Sequence, residues 1–364
     1  MPVKINPVVA ALPDAIPFVA PEEMERTRGR AFAARLGANE GNFGPAPAAV
    51  AAMRAAATQD SWTYCDPTAH ALRTALSEHL GVDMDDIVCG PGIDGLLGLI
   101  VRVFSDVGDT IVSSVGAYPT FNYHVHAYGR ALESVPYAAH HEDLDALAAK
   151  AREARAAIVY VSNPDNPMGS WWQAADVARF VDAVPDETLI VLDEAYGETA
   201  PAGTLPSIDT NRKNLIRLRT FSKAYGLAGL RVGYAFGHRD LVAPFHRARD
   251  HFGVNVMAQQ AALASLQSQD WLQKTVARIA AGRARIAAIA LDNALAPLPS
   301  ATNFVTVNCG GDGAVARRVM ERLLALGIFV RKPMAPGLDH CVRVSVGRDE
   351  ELDAFEQALP KALE

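Results

Sequence analysis

Three short stretches carry residue types that could do chemistry together. The first is Lys223. It follows the apolar run Leu215–Phe221 and opens a glycine-containing segment that runs from Ser222 to Arg231. A lysine just past a strand end, beside hydroxyls and near an arginine, can form an imine over an anion site. The other lysines, at 4, 150, 213, 274, 332 and 361, sit at termini, in polar loops or on helical faces. A lone strand-end lysine is also an ordinary surface residue, so Lys223 decides nothing by itself. The second stretch is Leu189–Tyr196, an apolar run ending in Asp193 and Glu194. The Asp193-Glu194 end could hold a metal as a Walker-B-like carboxylate, but that reading wants a GxxxxGK[ST] loop and none is present. Alternatively Asp193 faces a cationic ring nitrogen from the carboxyl end of a buried strand, with Tyr196 reaching the same ligand. The third is Asn163-Pro164-Asp165-Asn166-Pro167-Met168-Gly169. A plain Pro/Asn/Gly turn accounts for it as well.

Positioning these stretches takes a particular scaffold. Short runs rich in β-branched residues recur at Ile87–Cys89, Thr110–Ser114, Ala157–Ser162, Leu189–Asp193, Leu215–Thr220 and Val232–Phe236. Helical patterns such as Leu144–Arg155 and Ala174–Val184 lie between them. Strands alternating with helices imply βαβ units and an α/β fold with a mostly parallel, buried sheet flanked by helices. Functional residues then gather at the carboxyl ends of the strands. After about residue 245 the texture changes. A long helical region is expected from Val256 to about Leu295. Strand candidates at Asn303–Asn308, Ile328–Arg331 and Val342–Val346 follow, then a C-terminal helix. This predicts a smaller α+β domain. The expected division is a large domain at 46–245 and a small one made of 1–45, a Pro-rich arm, plus 246–364.

In this order and spacing the three stretches resemble the fold-type-I pyridoxal-phosphate aminotransferases of class I/II, over residues 36 to 350 or so. The family's Asn-Pro-(Thr)-Gly turn appears as Asn166–Gly169, its Asp-x-x-Tyr as Asp193 and Tyr196, and its Ser-Lys with a later Arg as Ser222, Lys223 and Arg231. Within the family, Leu36–Glu40, Tyr64–Pro67 and Thr220–Arg231 are most similar to histidinol-phosphate aminotransferases. The resemblance implies an aspartate-aminotransferase-like fold and pyridoxal 5′-phosphate as cofactor.

It also implies roles. Lys223 would bond the cofactor and shuttle a proton. Asp193 would pair with the ring nitrogen, and Asn166 and Tyr196 would bond the ring's phenolic oxygen. Tyr118 would stack on the ring. Thr220, Ser222, Arg231 and the backbone of Gly92, Ile93 and Asp94, at a helix N-terminus, would hold the phosphate. Relatives usually carry Gly-Ser-Asp-Glu where this chain has Gly92-Ile93-Asp94-Gly95. A hydroxyl contact worth about 1.5–3 kcal/mol is thereby lost, but the backbone donors remain. Arg343 would grip a substrate anion, a task for which guanidinium suits better than ammonium. Arg331 would either join it or point to solvent with Lys332-Pro333, and Asn39 would also face substrate. Tyr64 would reach the partner subunit's cofactor phosphate, which implies a homodimer. The expected partners are an amino donor, best taken as histidinol phosphate, and a 2-oxo acid such as 2-oxoglutarate. An aromatic or other amino-acid aminotransferase is the alternative. So is a phosphothreonine-type decarboxylase.

Composition narrows the field. The chain has 364 residues, half of them hydrophobic, which allows a sizeable core. A formal charge of -7 disfavours nucleic acid as a partner. Cys65, Cys89, Cys309 and Cys341 are too scattered for a disulfide framework or a CxxC metal site, and no metal is expected. Cys89 and Cys341 read as small buried hydrophobes. No apolar run is long enough to span a membrane. The N-terminus, broken by Asp14 and prolines, does not read as a signal peptide, so a cytoplasmic protein is expected. Only about 35 residues precede the resemblance, too few for the DNA-binding domain of a sensor-type regulator. No GxGxxG follows a first strand, which disfavours a nicotinamide dehydrogenase.

Overall fold

Short apolar runs, buried on both faces, build the central sheet. We analysed a computed structural model, which describes residues 3–13 and 20–364. The parts of the expected N-terminal arm at 1–2 and 14–19, Asp14 among them, lie outside the described residues. Seven strands form one sheet: β1 (Ile87–Gly90), β2 (Thr110–Ser114), β3 (Ala131–Val135), β4 (Ile158–Ser162), β5 (Leu189–Asp193), β6 (Leu215–Thr220) and β7 (Gly233–Gly237). Their spatial order is β1-β7-β6-β5-β4-β2-β3. All neighbours are parallel except those of β7, which runs antiparallel to β1 and β6. The edge strand β3 is absent from the sequence expectation. Four of its five residues are not buried, so it carries no apolar signal.

Each face of the sheet has its own core. Ile158 and Tyr160 of β4, Leu189 and Val191 of β5, and Ile216 and Leu218 of β6 pack with helices Gly92–Phe104 and Pro119–Ala127. Helix Gly92–Phe104 buries Ile93, Leu96, Leu97, Ile100 and Val101, the spacing of one helical face. The intervening residues Val159, Val161, Ile190 and Leu192 face helices Leu144–Glu153 and Ala174–Ala183. Side chains alternate along a strand, so this parity fixes what stands at the strand ends. Ser162, Asp193 and Thr220 fall on the first face. Glu194, Arg217 and Arg219 fall on the second.

The C-terminal region holds a three-stranded antiparallel sheet, Ala296–Pro297, Phe304–Asn308 and Cys341–Ser345, flanked by helices Gly313–Leu326 and Asp349–Leu363. Residues Ala34–Arg35 pair in parallel with Ile328–Phe329. The expected long helix from Val256 is two helices, Val256–Leu266 and Gln269–Asp292. They break at Gln267 and Ser268, where the Ser268 hydroxyl donates back to the Ala264 carbonyl. Side chains of this kind compete for backbone bonds and favour helix ends. All four cysteines are free and buried.

Candidate active site

The carboxyl ends of β4, β5 and β6 open into a cavity of about 460 Å³. Lys223, Asp193, Asn166, Tyr196, Tyr118, Thr220, Ser222, Arg231, Ile93 and Asp94 all line it. These residues come from widely separated parts of the chain. Ala20, Pro21 and Glu22 of the N-terminal arm reach the same cavity.

Asp193 is only 4% exposed. Its Oδ2 accepts a bond from the Tyr160 hydroxyl at 2.9 Å, and its Oδ1 accepts from the Ala195 N–H at 2.9 Å. Burial pushes its pKa up to about 6, and those two donors restrain the rise. Lys223 faces the opposite pressure. Burial, with the positive charges of Arg343 and Arg231, pulls its pKa down to about 8. Its Nζ donates to the Asn39 carbonyl at 3.1 Å and lies 5.6 Å from the centre of the Tyr196 ring. The site therefore holds a lysine that loses its proton easily and a buried carboxylate.

A second group of contacts could receive an anion. Gly92, with φ +75°, begins helix Gly92–Phe104, and a Cβ there would collide with Arg231 Nη2. Arg231 Nη1 donates to the Ser222 hydroxyl at 3.3 Å, and Thr220 Oγ1 donates to the same hydroxyl oxygen at 2.9 Å. Backbone, guanidinium and hydroxyls thus converge at a helix start. The Asp94 carboxylate turns to His124, with Oδ1 3.2 Å from Nε2.

Arg343 forms a third anchor. Its Nη1 donates to Asn166 Oδ1 at 2.5 Å and its Nη2 to the Gly37 carbonyl at 3.1 Å. Its Nε is buried and has no hydrogen-bond partner among the described residues. Arg331 lies beside it, its backbone bonded to that of Arg343. Burial and the neighbouring Arg343 pull its pKa down to about 10. Lys332 bonds the Pro333 and Asp339 carbonyls, and Arg331 itself is partly buried against Phe329. It does not stand out in solvent.

Two expected site residues are placed differently. Asn39 is buried just behind the cavity wall. Its Nδ2 donates to the Tyr196 hydroxyl at 3.0 Å, and its Oδ1 accepts from Ser345 Oγ at 2.8 Å. With both ends of its amide taken by the protein, it braces Tyr196 and does not meet the cavity. Tyr64 is 83% exposed and stacks on Phe252, away from the cavity of its own chain.

The sequence reading missed Tyr160, Ser162 and the pair behind them, Glu142 and Asp165. Tyr160 looked like core in an apolar strand. Strand parity would have found it, since it shares a face with Asp193 in the neighbouring strand. Glu194 is not a metal carboxylate. It is fully buried and accepts from Arg217 Nε and Nη2 and from Arg219 Nε.

Comparison with known proteins agrees with this geometry. Residues 34–359 match the family described as aminotransferase class I and II. The chain belongs to that family. It is 35% identical over 363 residues to histidinol-phosphate aminotransferase of Anaeromyxobacter sp. (strain Fw109-5), covering 99% of both chains. It is 39% identical to histidinol-phosphate aminotransferase 1 of Mesorhizobium japonicum, covering 91% of this chain and 90% of that one. A crystal structure of histidinol-phosphate aminotransferase from Sinorhizobium meliloti in complex with pyridoxal 5′-phosphate superposes with a TM-score of 0.96 at 49% identity, over 99% and 97% of the two chains. Aspartate aminotransferase from Thermus thermophilus shares the fold, with a TM-score of 0.82 at 20% identity. The protein is thus a transaminase with an aspartate-aminotransferase-like fold, in a family that works with pyridoxal 5′-phosphate.

Proposed function

We propose that this transaminase takes its amino group from an L-histidinol-phosphate-like donor and passes it to a 2-oxo acid such as 2-oxoglutarate. The observation that carries the reading is the pairing, in one cavity, of Lys223 and buried Asp193, with guanidinium groups beyond them. The residues suit pyridoxal phosphate. The glycine at position 92 lets the Arg231 guanidinium lie against the helix start, which suits a phosphate, and the buried Arg343 Nε, without a hydrogen-bond partner among the described residues, suits a second anion.

Pyridoxal phosphate supplies the electron sink that makes the C–H bond beside the amine acidic. The chain supplies the rest. Lys223 Nζ, whose pKa is drawn down to about 8, would bond the cofactor and, once the donor's amine displaces it, would move the proton from the donor's α-carbon to the cofactor's C4′. Asp193 would keep the ring nitrogen protonated, a pairing that answers the cost of its own burial. Asn166 and Tyr196 would bond the phenolic oxygen, and Tyr118 would stack on the ring. Gly92, Ile93, Asp94, Thr220, Ser222 and Arg231 would hold the phosphate. Arg343, helped by Arg331, would grip the substrate anion, and Asn39 would brace Tyr196.

Three further parts belong to the reading. Tyr64 would complete the partner subunit's site in a homodimer, a role that suits its exposure beside Phe252. A large body at 46–245 would be closed over by 1–45 and 246–364. The contacts of Ala20, Pro21 and Glu22 with the cavity support this. Among the described residues no helix is long and apolar enough to cross a membrane. Four free cysteines suit a reducing cytoplasm.

Lys223→Ala tests the core of the proposal. It should abolish both the visible absorbance of bound cofactor and turnover, and survival of either would sink it. A panel of donors with 2-oxoglutarate tests the substrate. Histidinol phosphate should give the highest kcat/KM. Preference for an aromatic amino acid, or carbon dioxide release without a 2-oxo acid, would replace it with one of the alternatives.

A further inference from the structure

A pair of buried acids stands directly behind the turn that presents Asn166. Glu142 is 1% exposed and Asp165 is 2% exposed. Both approach one hydroxyl: Ser162 Oγ is 2.7 Å from Glu142 Oε1 and 3.3 Å from Asp165 Oδ1. A serine hydroxyl has one hydrogen, so it cannot satisfy two carboxylates at once. Two adjacent buried carboxylates do not both ionise readily, because each repels the other where water cannot screen them. We propose that Glu142 and Asp165, joined through the Ser162 hydroxyl, share a single proton carried by Glu142, and that this pair fixes the turn presenting Asn166 to the cavity.

The donor arrangement says which acid is neutral. Asp165 Oδ2 accepts a fixed backbone donor, Met168 N–H, at 2.9 Å, and its Oδ1 accepts from the hydroxyl of half-buried Tyr137 at 2.7 Å. Arg343 also favours its charge. Glu142 Oε1 accepts from the Ser162 N–H at 2.9 Å, but among the described residues Oε2 meets only the Ser114 hydroxyl, at 2.6 Å. A hydroxyl can accept as well as donate, so Oε2 is free to carry the proton. Among the described residues, Tyr137, Tyr160 and Arg343 are titratable or charged groups that face the pair. Burial raises both acids above the ordinary carboxylate range, in line with this count.

The link to Asn166 is short. The Asp165 carboxylate holds the Met168 N–H, and the Asp165 carbonyl accepts from the Gly169 N–H at 3.1 Å. These bonds close the turn on either side of Asn166. Glu142 and Asp165 are thus positioning residues. Their effect on catalysis rests on Asn166 meeting the cofactor, as proposed above. The proton count does not.

Two measurements separate those points. An acid that is neutral when folded and ionised when unfolded makes the folded state bind more protons, so stability falls as pH rises through that window. The window opens at the ordinary glutamate pKa of 4.5 and closes at the raised folded value. Thermal unfolding of the purified enzyme between about pH 5 and pH 9 should show this fall, and Glu142→Gln should flatten it. The introduced amide can accept at its oxygen and donate from its nitrogen to Ser114, as the neutral acid does. Asp165→Asn removes the neighbouring charge and should pull the upper end of the window to lower pH. For catalysis, the ratio of kcat/KM for Glu142→Gln to that of the unsubstituted enzyme should rise at least about threefold between about pH 7 and pH 9, as the wild-type acid ionises. Lys223 titrates in both proteins and drops out of the ratio. An unchanged stability slope in Glu142→Gln would overturn the proton count, and so would failure of that variant to fold. A flat ratio with a flattened slope would overturn the positioning role alone.

Discussion

Tyr160→Phe isolates one hydrogen bond to the buried carboxylate of the site. The phenylalanine keeps the ring that stacks on Phe121 at 4.4 Å, so packing is preserved. It deletes the hydroxyl that donates to Asp193 Oδ2 at 2.9 Å. A bond to a charged group is worth about 1.5–3 kcal/mol. At about 1.4 kcal/mol per unit, its loss raises the Asp193 pKa by roughly 1–2 units. Burial already holds that pKa at about 6, so the variant's lies near 7–8. If cofactor binds only where Asp193 is ionised, apparent affinity scales with the ionised fraction. At about pH 7 that fraction is about 0.9 in the unsubstituted chain and about 0.1–0.5 in the variant. The expected weakening is therefore small near pH 9, about 2–10-fold at pH 7, and about 10–100-fold near pH 5. The assay is an absorbance or fluorescence titration of cofactor-free enzyme with pyridoxal phosphate across that range. Ionisation of the cofactor phosphate is common to both proteins and cancels in the ratio. A breakpoint that stays near pH 6 in the variant would refute the reasoning, because the hydroxyl would then not be what restrains Asp193.

Other substitutions probe other contacts. Arg343→Lys keeps the charge but loses the donors to Asn166 and Gly37 and the bidentate grip on an anion. KM for the amino donor should rise about 10–100-fold in steady-state kinetics. Gly92→Ala places a methyl against Arg231 Nη2 at a positive φ, and cofactor titration should show binding weakened by about tenfold or more. Arg217→Met leaves Glu194 fully buried with only Arg219 to answer it, and denaturant unfolding should show a loss of about 3–5 kcal/mol. Asn39 sits at φ +54°, so Asn39→Ala should be about 1 kcal/mol less stable in the same assay than Asn39→Gly. Both variants should lose the same fraction of kcat, since both unbrace Tyr196.

Most of the site was legible because it lies at strand ends. β2, β5 and β6 have the bounds that their apolar runs announce, and the residues that terminate β5 and β6 line the cavity. The turn Asn163–Gly169 and the segment Ser222–Arg231 declared themselves by glycine, proline and hydroxyl residues. What stayed hidden had no local signal. β3 is an exposed edge, and the break at Gln267 and Ser268 interrupts an Ala-rich pattern with no glycine or proline. Tyr160 reads as core because it is core, with only its hydroxyl reaching the site. Glu142 is one of three acids in the polar stretch His140–Asp145, and its burial depends on strands that are distant in the chain.

Asn39 shows why such residues resist a linear reading. Its carbonyl receives Lys223 and Asn303, its Nδ2 serves Tyr196, and its Oδ1 takes Ser345. Those partners come from β6's following loop, the segment after β5, and two places in the C-terminal region. No spacing rule joins residue 39 to residues 196, 223, 303 and 345. Its left-handed backbone points all these groups at once, and asparagine tolerates that conformation better than most residues. The site is thus assembled by a residue whose own side chain never enters the cavity. The lysine can be found from sequence because its chemistry needs a particular atom at a strand end. The brace behind it needs only hydrogen-bond capacity at the right point in space, and that point exists only where residue 39 meets the loops after β5 and β6 and the C-terminal sheet.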